Sequence, residues 1–122
     1  MRYFPTILVC TLVLILSVIN TGVLPKTDVP SADKIVHTIM YFGITGILML
    51  NQTRYLRERI SCKQLIFAFL FSVGFGTLME IIQHFLPWRS GSLYDFIANT
   101  FGVMLAIGVF VFIETIEIYR RL

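Results

Sequence analysis

MEIIQHFLPWRSGSLYDFIANTFG, residues 79–102, decides the reading of this chain. It lies between LIFAFLFSVGFGTL (65–78) and VMLAIGVFVFI (103–113), two runs apolar enough for bilayer-spanning helices. Pro87 ends one helix, and Ser92 with Asp95 forms an S-x-x-D capping pattern that opens the next. Glu80, Gln83, Arg89, Asp95 and Asn99 therefore sit within or beside two membrane helices, where polar side chains are costly.

The rest of the chain fits a membrane setting. Of its 122 residues 57% are hydrophobic and 14% charged, and the mean hydropathy is +0.82. These values exclude an ordinary soluble domain of this length and predict one transmembrane domain over residues 1–122. Apolar segments fall at about 4–23, 33–50, 64–86 and 93–113. Each reaches across roughly 30 Å of hydrocarbon at about 1.5 Å per residue. The expected fold is all-α, a polytopic transmembrane four-helix bundle. The first segment has a stub of three residues before it and no small-x-small site after it, so it reads as an uncleaved helix and not a signal peptide. Cys10 and Cys62 form neither a disulfide framework nor a metal spacing.

Arg2, Arg54, Arg57, Arg59, Lys63, Arg120 and Arg121 fall on one side of this topology, and Lys26, Lys34 and Arg89 on the other. The positive-inside rule then predicts both termini in the cytoplasm. Charge gathered at helix ends also argues against a nucleic-acid partner. Gly22 and Pro25 close the first helix, and Ser31 is the expected N-cap of the second. Ala98, Gly102 and Ala106 recur every four residues and form a close-packing face, for which Gly43, Gly46, Gly74 and Gly76 are candidate receivers. Trp88 and Tyr94 suit an interfacial aromatic belt.

The polar residues share one depth. Asp33, His37 and Tyr41 follow at i, i+4 and i+8 along one helix face. Glu80 lies about 10 Å below the boundary set by Pro87, with Gln83 and His84 one turn later, and Asn99 lies one turn beyond Asp95. The opposite halves, 43–50, 65–79 and 102–113, contain no ionisable side chain. Helix three carries fifteen apolar residues between Leu65 and Leu86. At roughly −0.3 to −0.6 kcal/mol each they outweigh the roughly +3 kcal/mol of one carboxylate, so insertion survives. The carboxylate's presence still calls for a function or a structural network.

Asp33-Lys34-x-x-His37-x-x-x-Tyr41, Glu80-x-x-Gln83-x-Phe85-x-Pro87-x-Arg89 and Asp95-x-x-Ala98-Asn99-x-x-Gly102 together resemble the VanZ-like family of small bacterial membrane proteins, over roughly residues 33–106. Trp88 and Ala106 stand where glycine is more usual. The family is named for a protein associated with teicoplanin resistance. The resemblance implies a multi-pass bacterial inner-membrane protein with a role in envelope biology or antibiotic susceptibility, and it supplies no reaction or cofactor.

Each candidate residue has a plainer reading. Glu80, Arg89 and Asp95 form either a ligand site or an ion-pair network fixing helix register. Gln83 and Asn99 serve a ligand or bond between helices. His37, oriented by Asp33, is a base or an interfacial imidazole; His84 reads as interfacial and Tyr41 as a packed aromatic. Asp33 also suits the first turn of a helix. Three functions follow. One is binding an amphiphile, either a lipid-linked envelope precursor or a lipopeptide or glycopeptide antibiotic, through Asp33, His37, Tyr41, Glu80, Gln83, Arg89, Asp95 and Asn99. Another is catalysis on such a molecule, with Glu80 and Asp95 dividing acid and base roles or holding a divalent cation with His37. The least favoured is transport, because the inner halves are dry.

Overall fold

A computed structural model describes residues 2–18, 32–87 and 93–121. Ser31, Arg89 and Ser92, the Gly22 and Pro25 stop, Trp88 and the side chain of Asp33 lie outside the described residues. Four helices follow in order: α1 Phe4–Val18, α2 Ala32–Gln52, α3 Cys62–Phe85 and α4 Leu93–Arg121. By length and composition α2, α3 and α4 are each long and apolar enough to cross a membrane, and α1 is a shorter apolar helix. The expected helix-one residues 19–23 lie outside the description.

Local chemistry sets the helix ends. Ser61 and Gln64 form a reciprocal capping box at the start of α3: Gln64 N donates to Ser61 Oγ at 3.2 Å and Ser61 N donates to Gln64 Oε1 at 2.9 Å. This moves the start of α3 two residues ahead of the expected Gln64. Its end comes at Leu86, held extended as the residue before Pro87. The helix α4 continues past the expected Ile113 to Arg121 because polar side chains take over its support. Glu114 Oε1 accepts from Ile60 N at 3.0 Å, and Glu117 and Arg121 pair at 3.5 Å. Between α2 and α3 the chain reverses through Arg54, Tyr55 and Leu56, all with positive φ (48°, 58° and 69°). Left-handed non-glycine residues cost roughly 1–2 kcal/mol each. Offsetting this, Tyr55 N donates to Leu50 O at 2.7 Å, Glu58 N donates to Thr53 O at 3.0 Å, and Leu56 packs on the core.

In the bundle, α2 touches the other three helices, while α1 packs on α2 and α3. One core cluster joins Val13, Tyr41, Ile44 and Val103, and another joins Leu48, Met49, Ala68, Ala106 and Phe110. Isoleucines, leucines and phenylalanines cover the outside, as suits a surface facing lipid. The tightest seam is between α2 and α4, where a Cβ built on Gly102 would overlap the carbonyl oxygen of Thr38 and lie 3.1 Å from its Cα. Thr38 Oγ1 also lies 3.3 Å from Ala98 O. The small face of α4 is thus received by the backbone at Thr38. Gly43, Gly46 and Gly74 do not receive it, since nothing lies within 4 Å of a Cβ built on any of them. Gly76 instead makes room for Tyr41 and Asn99.

Gly102→Ala is expected to lower stability by about 1–3 kcal/mol, since the obstructing atoms are backbone. Gly74→Ala and Gly46→Ala are expected to be neutral or stabilising by up to ~1 kcal/mol. Thermal melting of the detergent-solubilised protein checks the contrast. Equal melting of Gly102→Ala and Gly74→Ala would show that the α2–α4 seam is looser than described.

Candidate functional site

The close seam sets His37 of α2, Glu80 of α3 and Asn99 of α4 side by side. Two turns of helix separate Gly76, where α3 comes close, from His84, and Glu80 lies midway between them. His37 is 8% exposed and Asn99 2%. His37 Nδ1 lies 2.9 Å from Asn99 Oδ1 and 3.8 Å from Glu80 Oε1, and Asn99 Nδ2 donates to Glu80 Oε1 at 3.5 Å. Asn99 therefore bridges a base and an acid from two other helices. An amide oxygen only accepts, so Nδ1 carries the imidazole proton and Nε2 is the acceptor of neutral His37. The 3.8 Å approach to Glu80 becomes an ion pair whenever the imidazole is protonated.

Asp95, in the first turn of α4, joins this group. One nitrogen of His37 and one carboxylate oxygen each of Glu80 and Asp95 lie within 4.8 Å of one another. An imidazole and two carboxylates at this spacing form a ligand set suited to a divalent transition-metal ion. The sequence supplied no metal motif because the three ligands come from three helices.

Other expected site residues have different tasks. Tyr41, 1% exposed, belongs to the core beneath the group, and its ring lies 3.0 Å from a Cβ built on Gly76. Gln83 turns toward α1, where its Nε2 donates to Ser17 O at 3.2 Å. It ties α1 to the bundle, and Ser17 is a partner with no signal in the sequence because it contributes only a backbone oxygen. His84 is exposed, with its ring edge-on to Phe85.

Beside the polar group an open groove of about 460 Å³ runs between α3 and α4. Among the described residues Glu80 is its one carboxylate, and Ile81, Phe85, Leu93 and Phe96 supply apolar wall. Phe85 and Leu93 are among the most exposed apolar side chains of the described residues. Nothing in the sequence separates such residues from others that simply face lipid.

The opposite end is not wholly dry. Thr6 Oγ1 donates to Asn51 Oδ1 at 2.5 Å, and Arg2 Nε donates to Asn51 O at 2.8 Å. In mid-bundle Thr45 Oγ1 lies 2.9 Å from Ser72 Oγ. A carboxylate is present there too, Glu114, which accepts from Ile60 N and lies 3.8 Å from Arg59 Nε; the His37–Glu80–Asp95 group is at the other end.

Asn99→Ala would remove both bridging bonds, to the buried His37 and to Glu80. A loss of about 2–4 kcal/mol is expected. In a double-mutant cycle with Glu80→Gln, a coupling of about 0.5–3 kcal/mol is expected. Additive effects in denaturant unfolding would mean that Asn99 and Glu80 do not share a network.

A family model described as VanZ/LLP1 matches residues 3–114. No curated protein and no solved structure matches the chain.

Proposed function

The chain belongs to the VanZ-like family and has membrane-spanning helices, and on that footing we propose that it binds an amphiphilic molecule of the bacterial envelope. The polar head would meet His37, Glu80, Asp95 and Asn99, and the tail would lie in the α3–α4 groove. One observation carries this reading: an apolar furrow of about 460 Å³ has Glu80 in its wall. An acid placed only to fix helix register needs no such furrow beside it. With both termini in the cytoplasm, as the basic residues suggest, this end faces outward at headgroup depth in the inner membrane. Arg89, in the α3–α4 connection, is the candidate partner for a phosphate or carboxylate. A lipid-linked precursor and a lipopeptide or glycopeptide antibiotic share the required chemistry, which links the site to antibiotic susceptibility. Cys62 tests the orientation in a Cys10→Ser background: a membrane-impermeant thiol reagent that labels it in intact cells would reverse the topology.

The His37–Glu80–Asp95 ligand set favours a second reading, cation-assisted turnover of a lipid-linked substrate. Turnover abolished by chelator and restored by a divalent cation would select it over simple binding.

Gently purified wild type is expected to carry an envelope amphiphile detectable by mass spectrometry, and Glu80→Gln is expected to lose most of it. A wild type that carries only bulk lipid in bulk proportions, indistinguishable from Glu80→Gln, would contradict the binding reading.

A further inference from the structure

The end of the bundle remote from the His37–Glu80 cluster has a second furrow, of about 490 Å³, between the start of α1, the last turns of α2 and the start of α3. Ile7, Leu48, Phe67 and Phe71 give it apolar walls, and Gln52 and Lys63 stand at its polar end. Along α2 its Gln52 is about 22 Å from His37 at 1.5 Å per residue, so the two sites lie near opposite faces of a bilayer.

Gln52 is unusual among the groups at this end. It is 3% exposed, and its Oε1 is buried with no hydrogen-bond partner among the described residues. Its backbone is held on two sides: Gln52 O accepts from the Arg2 guanidinium and, at 3.3 Å, from Gln64 Nε2. A buried acceptor left unmatched costs about 1–3 kcal/mol, so this amide fits a site that a donor completes. Lys63, one residue into α3, is exposed and cationic, and Arg54, Arg57 and Arg59 precede it in the same connection. From Lys63 the furrow follows α3 to Phe71, about 12 Å of helix. Ile7, Phe67 and Phe71 are all exposed there among the described residues.

We propose that this furrow is a binding site for an anionic glycerophospholipid. Its phosphate meets Lys63, a headgroup hydroxyl donates to the Gln52 amide oxygen, and the upper part of one acyl chain lies on Ile7, Phe67 and Phe71. Charge selects the anionic class, since each Lys or Arg near the surface contributes about 1 kcal/mol toward such lipids. The buried acceptor selects a headgroup that carries a donor. A water molecule could serve Gln52 alone, but it would leave the apolar wall and the cation without a common occupant. No residue of this site belongs to the His37–Glu80 cluster, so it stands whether or not that cluster binds an envelope amphiphile.

Native mass spectrometry of the delipidated full chain, with phosphatidylglycerol and phosphatidylcholine added in equal amounts, tests it. Wild type is expected to retain phosphatidylglycerol preferentially. Lys63→Gln, an exposed change that leaves the core untouched, is expected to lower its occupancy about fivefold, equivalent to about 1 kcal/mol. Gln52→Leu is expected to lower it while leaving the melting temperature equal or higher, because an unmatched buried acceptor is removed. Ile7→Trp is expected to lower binding of both lipids by filling the furrow. Equal retention of the two lipids by wild type, or phosphatidylglycerol retention unchanged in Lys63→Gln and Ile7→Trp, would overturn the assignment.

Discussion

Backbone contact between α2 and α4 is the constraint on which this structure depends. A helix in lipid gains little from burying apolar surface against another helix, because the lipid is equally apolar. Association must come from close contact and hydrogen bonds. Gly102 provides the contact, since only a residue without a Cβ lets α4 meet the Thr38 carbonyl. Ala98 and Ala106, one turn to either side, are both buried and keep the seam narrow. The seam fixes the rotation of α4, and that rotation turns Asn99 inward toward His37.

From this contact the polar group follows. Glu80 could not remain at such a depth facing hydrocarbon without a large desolvation cost. On α3 it faces the bundle, beside Gly76, whose missing side chain leaves space for Asn99 Nδ2 and the Tyr41 ring. The amide of Asn99 then serves acid and base together, as donor to Glu80 and acceptor from His37. Such a network fixes helix register, but register alone does not account for the neighbouring furrow or for three potential metal ligands within 4.8 Å. The same economy holds at the other end, where Arg2 and Gln64 satisfy carbonyls that close α2 and the Gln52 side chain is left facing a furrow.

Much of this is legible in the sequence. Apolar runs and a proline mark helices plainly, and polar residues at one depth mark the end where His37, Glu80, Asp95 and Asn99 gather. The four-residue spacing of Ala98, Gly102 and Ala106 also announced a contact face. Its receiver was not legible, because the receiver is the backbone at Thr38 and any residue has a carbonyl. The end of α4 at Arg121 is not legible in the sequence because hydropathy reports the lipid boundary and not the helix boundary. Beyond Ile113 the helix is carried by Glu114 and by the Glu117–Arg121 pair. Helical spacing groups Gln83 with Glu80, yet its amide reaches α1, because a position three residues on lies about 60° around the helix and the Ser17 carbonyl is the acceptor there. The furrows left no trace in the sequence, since phenylalanine in a groove and phenylalanine against lipid read the same.

The polar group depends on His37 and Asn99 meeting inside the bundle. Solid-state NMR of the protein reconstituted in lipid bilayers, with labelled histidine and asparagine, reads this directly. A through-space cross-peak between the His37 ring and the Asn99 side-chain amide is predicted, with the imidazole protonated at Nδ1. Well-resolved spectra in which that cross-peak is absent and the His37 ring is in free exchange with water would contradict it.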